Sequence, residues 1–176
     1  MKKLKIVKKV LFVIIAVVYF TFALCMTILL LNYNDYNVTQ FGDTSLIILN
    51  NKVSMEGYQK GDLVLVESTE LEEINKGDTI FAYKVDSNGY PQIQIGIAGD
   101  VYEDEDAISF ENGDTYSMKF VAGKPTKVYN GIGTFLGVVE SQWGFLFIVL
   151  VPCFLIFIYE LYALIIEIKY GNEEDE

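Results

Sequence analysis

A serine and a methionine, Ser54 and Met55, stand just ahead of a Gly-Asp turn at Gly61-Asp62, and the turn opens the alternating run "LVLVE". A hydroxyl there becomes a nucleophile only if a base within hydrogen-bond reach takes its proton. Donors must also hold the developing oxyanion, and backbone N–H groups near Ser54 are available for that. The chain has no histidine and no arginine, so the base must be sought among the lysines. Lys84, on the run "TIFAYKV", is the first candidate. Lys60 and Lys119 lie in turn or polar contexts and are weaker ones. A lysine works as a base only where burial or a nearby cation disfavours its charge. Lys84 alternates with Ala82 and Asp86, the pattern of a surface lysine.

The elements that must position these groups begin with two apolar blocks. Of the 176 residues, 52% are hydrophobic, and they concentrate at Val10–Leu31 and from Trp143 onward. The first block carries no charge and is long enough for a helix of roughly 20 residues across a bilayer. A cleaved signal peptide is the competing reading, but its apolar core would be only roughly 7–15 residues long. The second block, Trp143–Tyr159, is extended past Glu160 by "ELYALII", and a span is the better reading than a buried core helix. Lys2, Lys3, Lys5, Lys8 and Lys9 precede the first block and favour a cytoplasmic N-terminus. Two spans then return the acidic tail to the cytoplasm and leave the middle of the chain outside. The resulting organisation is a cytoplasmic N-terminus (1–9), a first span (10–31), an extracytoplasmic domain (32–142), a second span (143–166) and a cytoplasmic tail (167–176).

The formal charge of −11 does not favour nucleic acid or anionic lipid as a partner of the outer part. Cys25 and Cys153 fall inside the spans, where each acts as a small hydrophobe. Nothing points to a disulfide, a metal or a cofactor. Pro152 should kink the second span or free a carbonyl for a neighbouring group, and Trp143 suits the interface.

Between the spans, "NYNDYNVTQFGDTS" reads as a polar exit with interfacial aromatics. "LIILNNKVSM" reads as a strand breaking into a loop, and "DLVLVE", "TIFAYKV" and "QIQIGIAG" as further strands. "DSNGYP" is a turn, and "DVYEDEDAISFENGDTYSMKFVAG" a hairpin or meander with Glu103–Asp106 at its tip. Gly-Asp occurs at Gly42, Gly61, Gly77, Gly99 and Gly113; glycine permits positive φ, and aspartate bonds its own backbone in a turn. The glycines of "YNGIGTFLGVVESQWGF" suit a flexible or close approach to the bilayer. The fold class expected is mainly β: a barrel or folded sheet flanked by two transmembrane helices.

In order along the chain, an apolar anchor, "SM", "GDLVLV", "KGDTIFAY" and "GIAGD" resemble the type I signal peptidase family. The tail from "GTFLGVVESQWGF" resembles the C-terminal span of its endoplasmic-reticulum, archaeal and Gram-positive-type branch. The resemblance implies a serine endopeptidase that cuts signal peptides from preproteins emerging from the translocation machinery. It implies Ser54 as nucleophile, Met55 beside it at the membrane edge, and Asp100 as the acid following the base strand. It also implies an extended peptide bound by strand addition between the walls "DLVLVE" and "QIQIGIAG".

The sequence departs from that pattern. Gly57 stands where family members carry proline, and the Ser54–Gly61 stretch is one residue short. The branch's histidine is missing. Where the bacterial branch has its lysine, this chain has Gln92, Ile93 and Gln94, and a glutamine cannot take the proton. Three readings follow: a protease using Ser54 with an unorthodox lysine; a signal-peptidase-like binding or accessory protein of the export machinery that has lost its base; and an unrelated two-span protein. The residues favour the second, with a partner subunit as a further source of the missing group.

Overall fold

The computed structural model describes residues 2–50 and 55–170. The chain divides into a β-rich unit, Ile28–Gly137, and a helical unit made of residues 1–27 and 138–176.

The β-rich unit holds eight strands: β1 (Thr39–Phe41), β2 (Thr44–Ile48), β3 (Leu63–Glu67), β4 (Thr79–Val85), β5 (Pro91–Tyr102), β6 (Ala107–Phe110), β7 (Thr115–Ser117) and β8 (Val121–Tyr129). They form one antiparallel sheet, a half-barrel, in the order β1-β2-β3-β8-β4-β5-β6-β7. The last strand in sequence is therefore the joint of the sheet. Its C-terminal part pairs with β3 and its N-terminal part with β4. Pro125 has no N–H to give a central ladder, and it sits at a register shift, where Thr126 is the extra residue between the Val66–Pro125 and Leu65–Lys127 pairs. Gly123, at φ +130°, makes the bend; any side chain there would collide with the Glu67 carbonyl.

Two cores lie on opposite faces of the sheet's middle. Successive strand residues face opposite ways. Phe81 and Tyr83 of β4 join Ile47, Leu49, Val64, Val66 and Ala122 on one face, with Ile93 and Ile95 against them. Ile80 and Ala82 join Ala98, Ile108, Phe110 and Tyr116 on the other. The middle of β4, Ile80–Tyr83, is thus buried on both faces, and β3 buries Leu63, Val64 and Val66 while Leu65 is half-buried. The exit segment packs on this unit. Tyr36 stacks on Tyr83, with ring centroids 4.1 Å apart. Asn34 accepts the backbone N–H groups of Tyr36 and Val38 and donates to the Tyr83 hydroxyl at 3.1 Å. Folding these aromatics onto the sheet removes more apolar area from water than a free exit would.

In the helical unit, α1 (Lys2–Leu31) includes an apolar stretch Val10–Leu31 of mean hydropathy 2.7, and Gln142–Ile166 is a second of mean hydropathy 2.4. Both are long and apolar enough to cross a membrane. A short helix α2 (Ile132–Glu140) links the two units; Ser141 ends it, its hydroxyl accepting from the Gly144 N–H. The second apolar stretch runs through α3 (Gln142–Gly144), a π-helical turn (Phe145–Leu150) and α4 (Val151–Tyr170). Phe12 of α1 meets Tyr159, and Tyr19 meets Ile148 and Val149, so the helices run antiparallel. Pro152 cannot bond the carbonyl four residues back, at Ile148. The Tyr19 hydroxyl supplies that carbonyl with a donor at 2.6 Å and reaches the Val149 carbonyl at 2.9 Å. The neighbouring group expected for Pro152 is this tyrosine.

Candidate functional site

The loop between β2 and β3 is the place the sequence singles out. Its base is closed by main-chain bonds: the Leu49 N–H donates to the Asp62 carbonyl at 3.0 Å, and the Gly61 N–H to the Leu49 carbonyl at 2.8 Å. Ser54 lies outside the described residues. Met55 is half-buried and begins a turn in which its carbonyl accepts the Tyr58 N–H at 3.4 Å, with Gly57 at φ +88°. That φ is open to glycine and strained for the proline the family resemblance leads one to expect.

Asp62 holds the loop in place. It is 2% exposed, and its carboxylate accepts the Gln59 N–H at 2.9 Å, the Gly131 N–H at 3.1 Å and the Asn130 amide at 3.3 Å. One buried carboxylate thus joins the turn after Met55 to the junction of β8 and α2. The Thr134 N–H closes the same junction by donating to the Gly61 carbonyl at 3.0 Å. Sequence reasoning treated Asp62 only as one of five turn aspartates. Four of the five glycines do have positive φ, but Gly99 sits inside β5, where a Cβ would press on the Ser109 hydroxyl at 2.9 Å. Nothing in the dipeptide distinguishes the buried Asp62 from the exposed Asp43 and Asp100 or the half-buried Asp78 and Asp114.

Tyr58 connects the loop to the sheet. Its ring packs edge-on against Phe81 at 5.6 Å, and burial raises its hydroxyl pKa above the ordinary value. Tyr58, Phe81, Tyr83, Ile93 and Ile95 therefore share one apolar, largely aromatic face.

The other sequence candidates are elsewhere. Lys84 is exposed and pairs in register with Gln92. Alternation puts Lys84, Gln92 and Gln94 on the face opposite Tyr83 and Ile93. The Gln92 amide donates to the Asp86 carboxylate at 3.3 Å, across the turn that "DSNGYP" makes. Asp100 is exposed and paired with Lys76 at 3.0 Å, a contact that raises the Lys76 pKa. The strand from position 92 to position 100 covers roughly 25 Å, so Lys84 and Asp100 are not brought together. Lys60 is exposed, and Lys119 lies over the Phe120 ring at 4.7 Å.

The two expected walls differ. β3 is paired on both edges, with β2 and β8, and has no edge to offer. β5 pairs with β4 from Pro91 to Ile97, while β6 joins its other edge only from Ala98 onward. Among the described residues no strand covers the second edge of Pro91–Gly96. The Ala98 N–H donates to Asp78 on the β4 side, and the Ile97 carbonyl accepts from Glu111 on the other. Hydrogen-bonding direction alternates along an antiparallel strand, so the main-chain groups of Ile93 and Ile95 point to the open edge. No family model, curated protein or solved structure matches this chain.

Proposed function

We propose that this chain is a two-pass membrane protein whose β-rich unit stands on the extracytoplasmic face and binds signal peptides of exported preproteins without cutting them. The observation that carries this reading is the open edge of β5, whose half-buried Ile93 and Ile95, like Tyr58, pack against the buried Phe81–Tyr83 core. An extended apolar segment can add there as a strand, taking affinity from the Ile93 and Ile95 main chain and selectivity from the half-buried Tyr58, Ile93 and Ile95 side chains. The lysines before the first apolar stretch and the antiparallel helix pair support a topology with both termini cytoplasmic. Signal peptides delivered by the translocation machinery are the ligands such a surface suits.

The non-cleaving reading rests on the bases. Histidine is absent from the sequence, Gln92 is bonded to Asp86, and Lys84 is exposed on the opposite face. Loss of a general base commonly costs roughly 10²–10⁴-fold in rate. In the alternative, Ser54 is the nucleophile of a signal peptidase whose base comes from a lysine or a partner subunit.

The test uses the full chain in membranes with a reporter preprotein. A photo-crosslinker at Ile95 should capture the preprotein, no cleavage should occur, and Ser54→Ala should change neither result. Cleavage abolished by Ser54→Ala would establish the enzyme instead, and Lys84→Ala would then show whether that lysine is the base. Absence of crosslinking from Ile95 would reject the peptide surface, and protease protection that puts the β-rich unit inside the cell would reject the topology.

A further inference from the structure

Helix α2 is amphipathic in the wrong sense for a helix packed on a soluble domain. Its glycines face inward: a Cβ on Gly133 would meet the Asp62 carbonyl oxygen at 2.6 Å, and one on Gly137 would touch Asn50 and Ile48 at 3.6 and 3.7 Å. Three of its five large apolar residues face outward. Ile132, Phe135 and Val138, at three-residue spacing, are 48%, 59% and 54% exposed. Val139, at the C-terminal end, is buried. A helix serving only its own domain would bury the large residues and expose polar ones. The polar side chain of the helix, Thr134, turns its hydroxyl toward Gly61, and the helix's one charge, Glu140, is half-buried.

We propose that α2 is an interfacial helix whose Ile132–Phe135–Val138 stripe lies in the boundary between headgroups and acyl chains of the bilayer. Continuity of the chain identifies the occupant. Only Ser141 separates α2 from Gln142, where the second apolar stretch begins. Trp143, 69% exposed and stacked on Phe147, is a residue type enriched at that boundary. A helix so close to a span is delivered to the lipid surface whether or not a protein partner is present. The helix is thus a second membrane attachment for the β-rich unit, beyond the spans themselves. The inference rests on the second apolar stretch crossing the bilayer and is independent of peptide binding.

Site-directed fluorescence tests it. In the full chain with Cys25→Ala and Cys153→Ala, the substitutions Phe135→Cys, Ile132→Cys, Lys127→Cys and Phe157→Cys are each labelled with an environment-sensitive dye. The proteins are reconstituted in phosphatidylcholine–phosphatidylglycerol vesicles carrying lipids spin-labelled at shallow or deep positions. An interfacial helix sits roughly 5–10 Å into the boundary, so labels at 135 and 132 should be quenched at least about twofold more than at 127, and most by the shallow probe. The label at 157 should be quenched most by the deep probe. Quenching at 135 and 132 no stronger than at 127, with 157 still deep, overturns the inference while leaving the span intact. Blue-shifted emission at 135 without lipid quenching means a second copy covers the stripe and overturns it as well. Loss of deep quenching at 157 removes the span, and the inference with it.

Discussion

The Tyr19 hydroxyl donates to the Ile148 carbonyl at 2.6 Å, and Ile148 is the residue whose α-helical partner would have been the missing N–H of Pro152. The π-helical turn Phe145–Leu150 lies in the same stretch. Tyr19→Phe should therefore loosen the pairing of the two apolar helices by about 0.6–2 kcal/mol, the range for such bonds in membrane helices. Pro152→Ala restores the N–H, so Tyr19→Phe should cost less in that background. Unfolding titrations of the four variants in lipid–detergent mixtures check the coupling.

Asp62→Ala should leave the Gln59 and Gly131 N–H groups and the Asn130 amide without their acceptor. A stranded buried donor costs about 1–3 kcal/mol, so the β-rich unit should lose roughly that much stability or more. The denaturant midpoint reads it. Hydrogen exchange at Gln59 and Gly131 should speed up before global unfolding does.

Lys124 joins β8 to the segment before β4, pairing with Asp78 at 2.7 Å and donating to the Glu73 carbonyl at 2.7 Å. The hydrogen bond from Lys124 lowers the Asp78 pKa from its ordinary 3.8. A carboxyl with a lowered folded value contributes stability above its unfolded value, and this contribution is lost as the pH falls through the folded one. Asp78→Asn should therefore destabilise the protein at neutral pH and flatten the acid limb of its pH–stability curve below about 3.8. Denaturation midpoints across that range measure both effects, and added salt should shrink them.

Two glycine-to-alanine changes should differ sharply. At Gly123 the new methyl meets the Glu67 main chain, which is fixed in the sheet, while at Gly113 no atom lies within 4 Å. Gly113→Ala should cost about 1–2 kcal/mol from its positive φ alone. Gly123→Ala should add overpacking of about 1–3 kcal/mol or more and separate the two halves of the sheet. Thermal unfolding of the two variants side by side is the comparison.

The exposed Lys84 should tolerate Lys84→Ala with a stability change within about 0.5 kcal/mol. A larger loss in the thermal midpoint would mean that the side chain has a partner its surface position does not reveal.

Strands with undisturbed alternation were legible in the sequence. "TIFAYKV" is β4 to the residue, and "QIQIGIAG" is the core of a longer β5. The glycine- and proline-bearing segments were not. "VAGKPTKVY" contains turn residues, yet it is the central strand, because its glycine serves a bend and its proline a register shift that only the partner strands define. The glycines after it read as a flexible or close approach; Gly133 and Gly137 take the close one, on the packed side of α2. The candidate site was legible as a place, the loop before β3. What fixes that loop, Asp62 with the Asn130 side-chain amide and the Gly131 N–H, joins residues far apart in sequence, and no local pattern announces such a pairing.

The joint of the sheet is also its last strand to be synthesised. Until residues 121–129 leave the ribosome, no strand joins β3 to β4, and each keeps one edge that β8 will later occupy. Nascent chains halted short of Val121 should thus be the species that aggregate or recruit chaperones. Completion of the module is a late, single event in the birth of the protein.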